Sequence, residues 1–142
     1  MSGIVIDAPM ALAWLFERQQ PADIERANRL LAACGEEPWW IPGLWHLEVA
    51  NALLVAERRQ VLPQSQSDGF LARLRSLPLF TDSEPVPERS TRILALARNH
   101  ALSSYDATYL ELAQRLDAAL ASFDRQLNRS ASAIGVALFA QP

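Results

Sequence analysis

The sequence has 142 residues, half of them apolar, which suits one domain with a single core, so we expect one domain over residues 1–142. The formal net charge of −3 argues against a protein that holds nucleic acid by a large basic surface, unless its carboxylates bind divalent cations that reverse the charge locally. All 13 basic residues are arginine, which excludes a Schiff-base lysine, a P-loop lysine and the lysine of a phosphoacceptor receiver domain.

The sequence has no feature of a membrane or exported protein. No apolar run reaches the roughly 20 residues that a membrane span needs. The N-terminus, MSGIVIDAP, lacks the basic segment, apolar stretch and cleavage site of a secretory leader. These features predict a soluble protein in the cytoplasm.

The first half of the chain alternates between strand and helix patterns. GIVID predicts a strand, and APMALAWLFERQ predicts a helix with Pro9 in its first turn. Pro21 opens a second helix that ends near Gly35, and PWWIPG predicts a second strand. From Leu44 to about Arg59 the apolar spacing is helical again.

The second half continues the alternation. Pro63 starts a helix, LPLFTD predicts a third strand, and a helix follows from about Pro87. Ser103 and Asp106 form a variant of the capping box at the start of the next helix, and AALASFD and VALFA predict two further strands. We therefore expect an α/β fold with a parallel sheet of about five strands and helices on both faces.

Asp7 and Asp124 each end a predicted strand. In open α/β sheets the binding crevice lies beyond the carboxyl ends of the strands. If the first and fourth strands are neighbours, these two carboxylates lie close together. Either residue alone also has a purely structural explanation, because Asp is a good N-cap for a following helix.

Glu48 lies on the same predicted helix face as Leu44, Asn51 and Val55. A carboxylate on a core-facing stripe is costly unless it is paired or binds a metal. Arg58, ten residues further along roughly the same face, is the nearest candidate for a pair. The pattern favours a functional role for Glu48 over a structural one.

Asp106 would interact well with the helix dipole whatever its function, so it is informative only together with the other three acids. Clustered carboxylates repel one another unless cations lie between them, and oxygen ligands suit Mg²⁺ or Mn²⁺. Two such ions can stabilise both the attacking and the leaving oxygen in phosphodiester hydrolysis. The four acids together therefore predict a metal-dependent nuclease.

Four segments of the chain occur in a recognisable order: VIDAPMALAWL, LEVANALL, LSSYDATYLELA and LASFDRQL. In content and spacing they closely resemble the motifs of PIN-domain proteins, in particular the VapC toxins of bacterial toxin–antitoxin pairs. The resemblance spans nearly the whole chain. Each motif alone is modest, but four of them in order are specific.

The resemblance implies an endoribonuclease that uses Mg²⁺ or Mn²⁺ in an acidic pocket at the carboxyl edge of a parallel sheet. By position, Asp7, Glu48, Asp106 and Asp124 match the acidic quartet of the family, with Asp7 and Asp106 expected as direct metal ligands. It also implies an RNA substrate, a homodimer, and a VapB-type antitoxin whose tail covers the pocket.

The chain departs from the family pattern at Pro9, where many relatives have Ser, Thr or Asn. Proline has neither a polar side chain nor an N–H, so any contact made there by relatives is lost. Asn51 matches the common pattern and is a candidate for a hydrogen bond to a catalytic carboxylate. Ser122 is a similar candidate for a contact to substrate or to a metal ligand, although a structural role is at least as well supported.

The mechanism that we infer from the sequence is attack on phosphorus by metal-activated water, with Glu48 binding or orienting that water. Two alternatives remain open. The first is a PIN-fold module that binds a partner without turnover. The second is a metal-dependent phosphatase with an aspartyl-phosphate, but position 9 is Pro where such enzymes usually have a second Asp, and the chain has no Lys.

Overall fold

The computed structural model describes residues 3–140, which form four short strands and seven helices. The strands are β1 (Ile4–Ile6), β2 (Trp39–Ile41), β3 (Leu79–Thr81) and β4 (Ala119–Ala121). The helices are α1 (Ala8–Leu12), α2 (Pro21–Ala32), α3 (Gly43–Arg58), α4 (Gln64–Ser76), α5 (Val86–His100), α6 (Ser104–Leu116) and α7 (Arg125–Ala133). Within the described residues, no helix combines the length and apolarity needed to cross a membrane.

The strands form one parallel sheet in the order β3-β2-β1-β4. All residues of β1 and β4 are buried, as expected for strands covered on both faces. The first and fourth predicted strands are neighbours, which was the condition for Asp7 and Asp124 to lie close together: Ile4 pairs with Ala119 and Ile6 with Ala121. The segments that follow β1 and β4 therefore leave the sheet at the same edge.

The predicted fifth strand at VALFA is reduced to a single parallel bridge. Leu120 of β4 pairs with Leu138, and the Leu120 N–H donates to the Ala137 carbonyl at 2.8 Å. Ala140, at the end of this segment, has a positive φ of 53°, which is incompatible with an extended strand. The described sheet thus has four strands, where we expected about five.

The first predicted helix is also shorter than its pattern. The apolar spacing continues to Phe16, but α1 ends at Leu12. The reason is tertiary: the Trp14 indole N–H donates to the Ala27 carbonyl of α2 at 2.9 Å, and its ring stacks on Trp39 at 5.6 Å between centroids. Packing against α2 and β2 redirects the chain where local spacing alone favours helix.

The core-facing side of α3 differs from the predicted one. The pattern placed Leu44, Asn51 and Val55 on that face, but the buried residues are Trp45, Val49, Leu53 and Ala56. The helix is apolar nearly all round, so more than one face satisfies helical spacing and only packing selects the buried one. As a result Asn51 is exposed, and Glu48 lies half-buried at the border of the core.

Candidate active site

Asp7 and Asp124 lie at the carboxyl edge of the sheet, following the adjacent strands β1 and β4. Both are N-caps: Asp7 Oδ1 accepts the Met10 N–H at 2.9 Å, and Asp124 Oδ1 accepts the Leu127 N–H at 2.8 Å. Both acids therefore have the structural role of helix N-cap that their sequence positions allowed. Each carboxylate can still serve a second function, since capping uses only one of its oxygens.

Burial is the largest influence on the charge of Asp7, because only 5% of the residue is exposed. Burial raises the pKa of Asp7 from 3.8 to about 7, against hydrogen bonds from Ser122 and the Met10 N–H, which lower it. The negative charges of Glu48 and Asp106 raise this pKa further. Asp7 therefore interacts electrostatically with two of the other predicted acids, Glu48 and Asp106, at this edge of the sheet.

The raised pKa of Asp7 predicts that the metal-free protein loses stability as pH rises. Between pH 3.8 and about 7 the folded state keeps a proton that the unfolded state releases, so the free energy of unfolding falls with rising pH. This group contributes about 4 kcal/mol at most. In EDTA at pH 8 we expect Asp7→Asn to melt at a higher temperature than the wild type. Thermal unfolding at pH 5 and pH 8 tests this, and identical pH dependence in both proteins would contradict it.

Asp106 lies in the first turn of α6, as predicted. The Ser103 hydroxyl caps the helix by accepting the Asp106 N–H at 3.0 Å, which confirms the capping interaction expected from the sequence. Burial raises the pKa of the Asp106 carboxyl, and the charge of Asp124 raises it further. Asp124, the fourth predicted acid, thus interacts electrostatically with Asp106, which in turn interacts with Asp7.

Glu48 enters the site from α3 and accepts a hydrogen bond from the Tyr109 hydroxyl. Burial raises the pKa of Tyr109, and the bond to Glu48 raises it further, so this phenol stays protonated and acts as a donor. The side chain of Asn51, which was expected to contact a carboxylate, takes part in none of the side-chain hydrogen bonds within residues 3–140. Tyr109 was not among the residues predicted for the site, although its position three residues after Asp106 places both on one face of α6.

Ser122 connects Asp7 to Asp124. It is fully buried, its side chain lowers the pKa of the Asp7 carboxyl as a hydrogen-bonding neighbour, and its Oγ accepts the Asp124 N–H at 3.0 Å. The Ser122 carbonyl accepts two further bonds, from Arg26 Nη2 at 2.9 Å and from Asn128 Nδ2 at 3.0 Å. The structure thus places Ser122 beside two predicted metal ligands, and Arg26 is a neighbour that sequence spacing could not reveal.

The chemistry of this donor set suits a hard divalent cation. All four acids supply oxygen ligands, and the raised pKa of Asp7 reflects a buried carboxylate near other negative charges. Within residues 3–140, no three Asp, Glu, His or Cys side chains already surround a common point that could hold an ion. The residue types and the interactions between their charges fit a hard divalent cation. To bind the ion directly, the four side chains would have to move closer together.

Comparison with known proteins agrees with this geometry. The PIN domain family matches residues 4–132. A VapC ribonuclease of Mycobacterium bovis is 32% identical over 130 residues, covering 92% of both chains, and ribonuclease VapC9 of Mycobacterium tuberculosis gives the same values. In fold, FitAcB from Neisseria gonorrhoeae is similar with a TM-score of 0.65 at 17% identity over 96% of both chains. A toxin–antitoxin complex from Klebsiella pneumoniae has a TM-score of 0.61 at 19% identity, covering 93% of this chain and 92% of that one. The chain belongs to the PIN-domain family.

Proposed function

We propose that this protein is a metal-dependent endoribonuclease and the toxin of a VapBC-type toxin–antitoxin pair. The observation that carries the proposal is the buried Asp7, whose charge interacts with Glu48 and Asp106 at the carboxyl edge of the sheet. Two relatives with 32% identity are named ribonucleases. A similar fold occurs in a structure described as a toxin–antitoxin complex, which supports a VapB-type antitoxin as partner. We place the activity in the cytoplasm, where RNA and such a partner are available.

Asp7, Asp106 and Asp124 would hold Mg²⁺ or Mn²⁺, with Glu48 beside them. When bound, the metal supplies positive charge for the phosphate oxygens and lowers the pKa of a bound water. Burial opposes ionisation of Asp7, and a nearby cation would favour its charged form. The site's own electrostatics thus support a divalent cation as the natural complement of these side chains.

Glu48 is the residue that we assign to the attacking water. The Tyr109 hydroxyl binds Glu48 Oε1 and fixes the carboxylate, so its second oxygen can orient a water molecule and accept its proton. The water oxygen forms a bond to phosphorus while the bond from phosphorus to the leaving ribose oxygen breaks. That leaving oxygen then takes up a proton, which completes hydrolysis.

The test is cleavage of total cellular RNA in Mn²⁺, Mg²⁺ or EDTA by the wild type, Asp106→Asn and Asp68→Asn. Asp68 is an exposed acid of α4 and serves as the matched control. We expect discrete fragments from the wild type and the control with metal, and none in EDTA or from Asp106→Asn. Equal cleavage by all three proteins, or cleavage in EDTA, would contradict the mechanism. Failure of the wild type to cut any RNA would favour a binding module without turnover.

We also propose that the protein is a homodimer. Val86, Leu94 and Tyr105 are 60%, 46% and 62% exposed, and they border a cavity of about 660 Å³ between α5, α6 and the start of α3. Clustered apolar side chains of this kind mark contact surfaces, and a second copy of the chain is the partner that we assign to them.

This assignment predicts a dimer by light scattering at micromolar concentration and a monomer for Leu94→Glu, because a buried carboxylate would oppose the contact. Val61→Glu is the matched control, since Val61 is 66% exposed outside this cavity. A wild type that is monomeric, or a Leu94→Glu variant that remains dimeric, would show the assignment to be wrong.

A further inference from the structure

Arg26 reaches the candidate active site from α2, far away in sequence. Its Nη2 donates to the Ser122 carbonyl at 2.9 Å, and its guanidinium lies 5.6 Å from the centre of the Phe123 ring. Ser122 and Phe123 connect β4 to Asp124, the N-cap of α7. Arg26 therefore contacts the segment that connects the sheet to one of the predicted metal ligands.

The placement of Arg26 carries an energetic cost. Burial lowers the pKa of its guanidinium, against the charges of Asp23 and Asp7, which raise it. Its Nε is buried and has no hydrogen-bond partner within the described part of the chain. A buried donor without a partner costs free energy, so an arginine selected only for stability is a poor choice at this position. The cost favours a role that requires a guanidinium here.

The contact also has a defined geometric consequence. The carbonyl oxygen of Ser122 receives two donors, Arg26 and Asn128, which matches its two lone pairs. With the carbonyl held, the Ser122 side chain is oriented to bond Asp7 and to accept the Asp124 N–H. One buried serine thus sets how the two carboxylates that follow β1 and β4 lie relative to each other, and Arg26 holds that serine.

We infer that Arg26 is a positioning residue of the active site, which holds Ser122 and through it the relative placement of Asp7 and Asp124. The inference rests on the proposed function, in which these two carboxylates act together. Arg26 itself need not touch RNA. Its Nη2 donates to the carbonyl while the guanidinium lies 5.6 Å from the centre of the Phe123 ring, and the planar guanidinium and the compact ammonium of lysine differ in hydrogen-bond geometry.

The test is a mutant cycle of Arg26→Met, Ser122→Ala and the double variant, with Arg29→Met as control because Arg29 is an exposed arginine of the same helix. We expect each single variant to lower kcat roughly tenfold with little change in KM, as is typical of residues that support metal ligands. The double variant should be no slower than the slower single variant, because both changes remove one chain of contacts. A double variant whose loss of kcat is the product of the two single losses, or an Arg26→Met variant with the kcat of the wild type, would overturn the inference.

A second measurement does not depend on ribonuclease activity. It is the rate of amide hydrogen exchange in a peptide that covers residues 119–127 of the metal-free protein. This peptide contains the Asp124 N–H, which donates to Ser122 Oγ. We expect faster exchange of this peptide in Arg26→Met and unchanged exchange in Arg29→Met, and unchanged exchange in both would overturn the inference. If Arg26→Met does not fold, Arg26→Lys replaces it in both measurements with the same expectations. A wild type that cuts no RNA would contradict the proposed function, and exchange would still decide the role of Arg26.

Discussion

Asp7→Asn should lower kcat for RNA cleavage by roughly 10²–10³-fold, the range typical for removal of one preorganised electrostatic group. Asparagine has the same shape and can still accept the Met10 N–H, so the N-cap of α1 is retained. What is lost is the negative charge that interacts with Glu48 and Asp106 and that would bind the metal. The variant should therefore be folded and stable, yet nearly inactive.

The measurement is single-turnover cleavage of a defined RNA at saturating Mn²⁺, with isothermal titration calorimetry for the affinity of Mn²⁺. Asp117→Asn is a suitable control, because Asp117 is an exposed acid at the end of α6. Cleavage by Asp7→Asn at the wild-type rate would show that Asp7 is not an active-site residue. A loss of activity that is accompanied by unfolding would instead assign Asp7 a structural role.

Glu111→Gln should be the most destabilising charge removal in the described part of the chain. Glu111 is only 1% exposed and forms ion pairs with Arg115 at 2.8 Å, Arg92 at 3.1 Å and Arg89 at 3.7 Å. Arg89 is itself only 4% exposed, so loss of Glu111 leaves a buried cation with Asp82 as its remaining ion-pair partner, at 3.2 Å. Breaking a buried pair on one side costs about 3–5 kcal/mol, and we expect the lower end because Asp82 remains.

Urea unfolding followed by tryptophan fluorescence measures this effect as a lower transition midpoint at an unchanged slope. The control is Glu25→Gln, an exposed glutamate of α2, which should change the free energy of unfolding by less than about 0.5 kcal/mol. A loss below about 1 kcal/mol for Glu111→Gln would mean that this network behaves like surface ion pairs. The effect would then be too small for the network to fix α5 against α6.

Several parts of the fold follow from local rules. The apolar runs IVI and ALA are buried strands, Pro21 starts α2, and the Ser103 side chain caps α6, each as its sequence pattern predicts. The parallel direction of the strands follows from the alternation of strands and helices along the chain. These features were predictable because they depend on residues close together in sequence or on rules shared by all sheets of this class.

Other features depend on contacts between distant residues. The core-facing side of α3 was mispredicted because the helix is apolar nearly all round, and only packing selects Trp45 and Val49. The predicted fifth strand contributes one bridge to β4, and α1 ends early where Trp14 packs on Trp39. In each case the free energy of a tertiary contact outweighs a weak local preference.

The same division applies to the site. By itself the sequence determined the family, the fold class and the four candidate acids, because carboxylates at strand ends, at a helix start and on an apolar helix face are visible as residue types in a pattern. Only the tertiary structure decided that Tyr109 binds Glu48, that Ser122 joins Asp7 to Asp124, and that Arg26 holds Ser122. Arg26 and Ser122 lie 96 residues apart, and no local propensity encodes a hydrogen bond over that separation. The physical reason is that such bonds form only after the sheet brings the chain segments together.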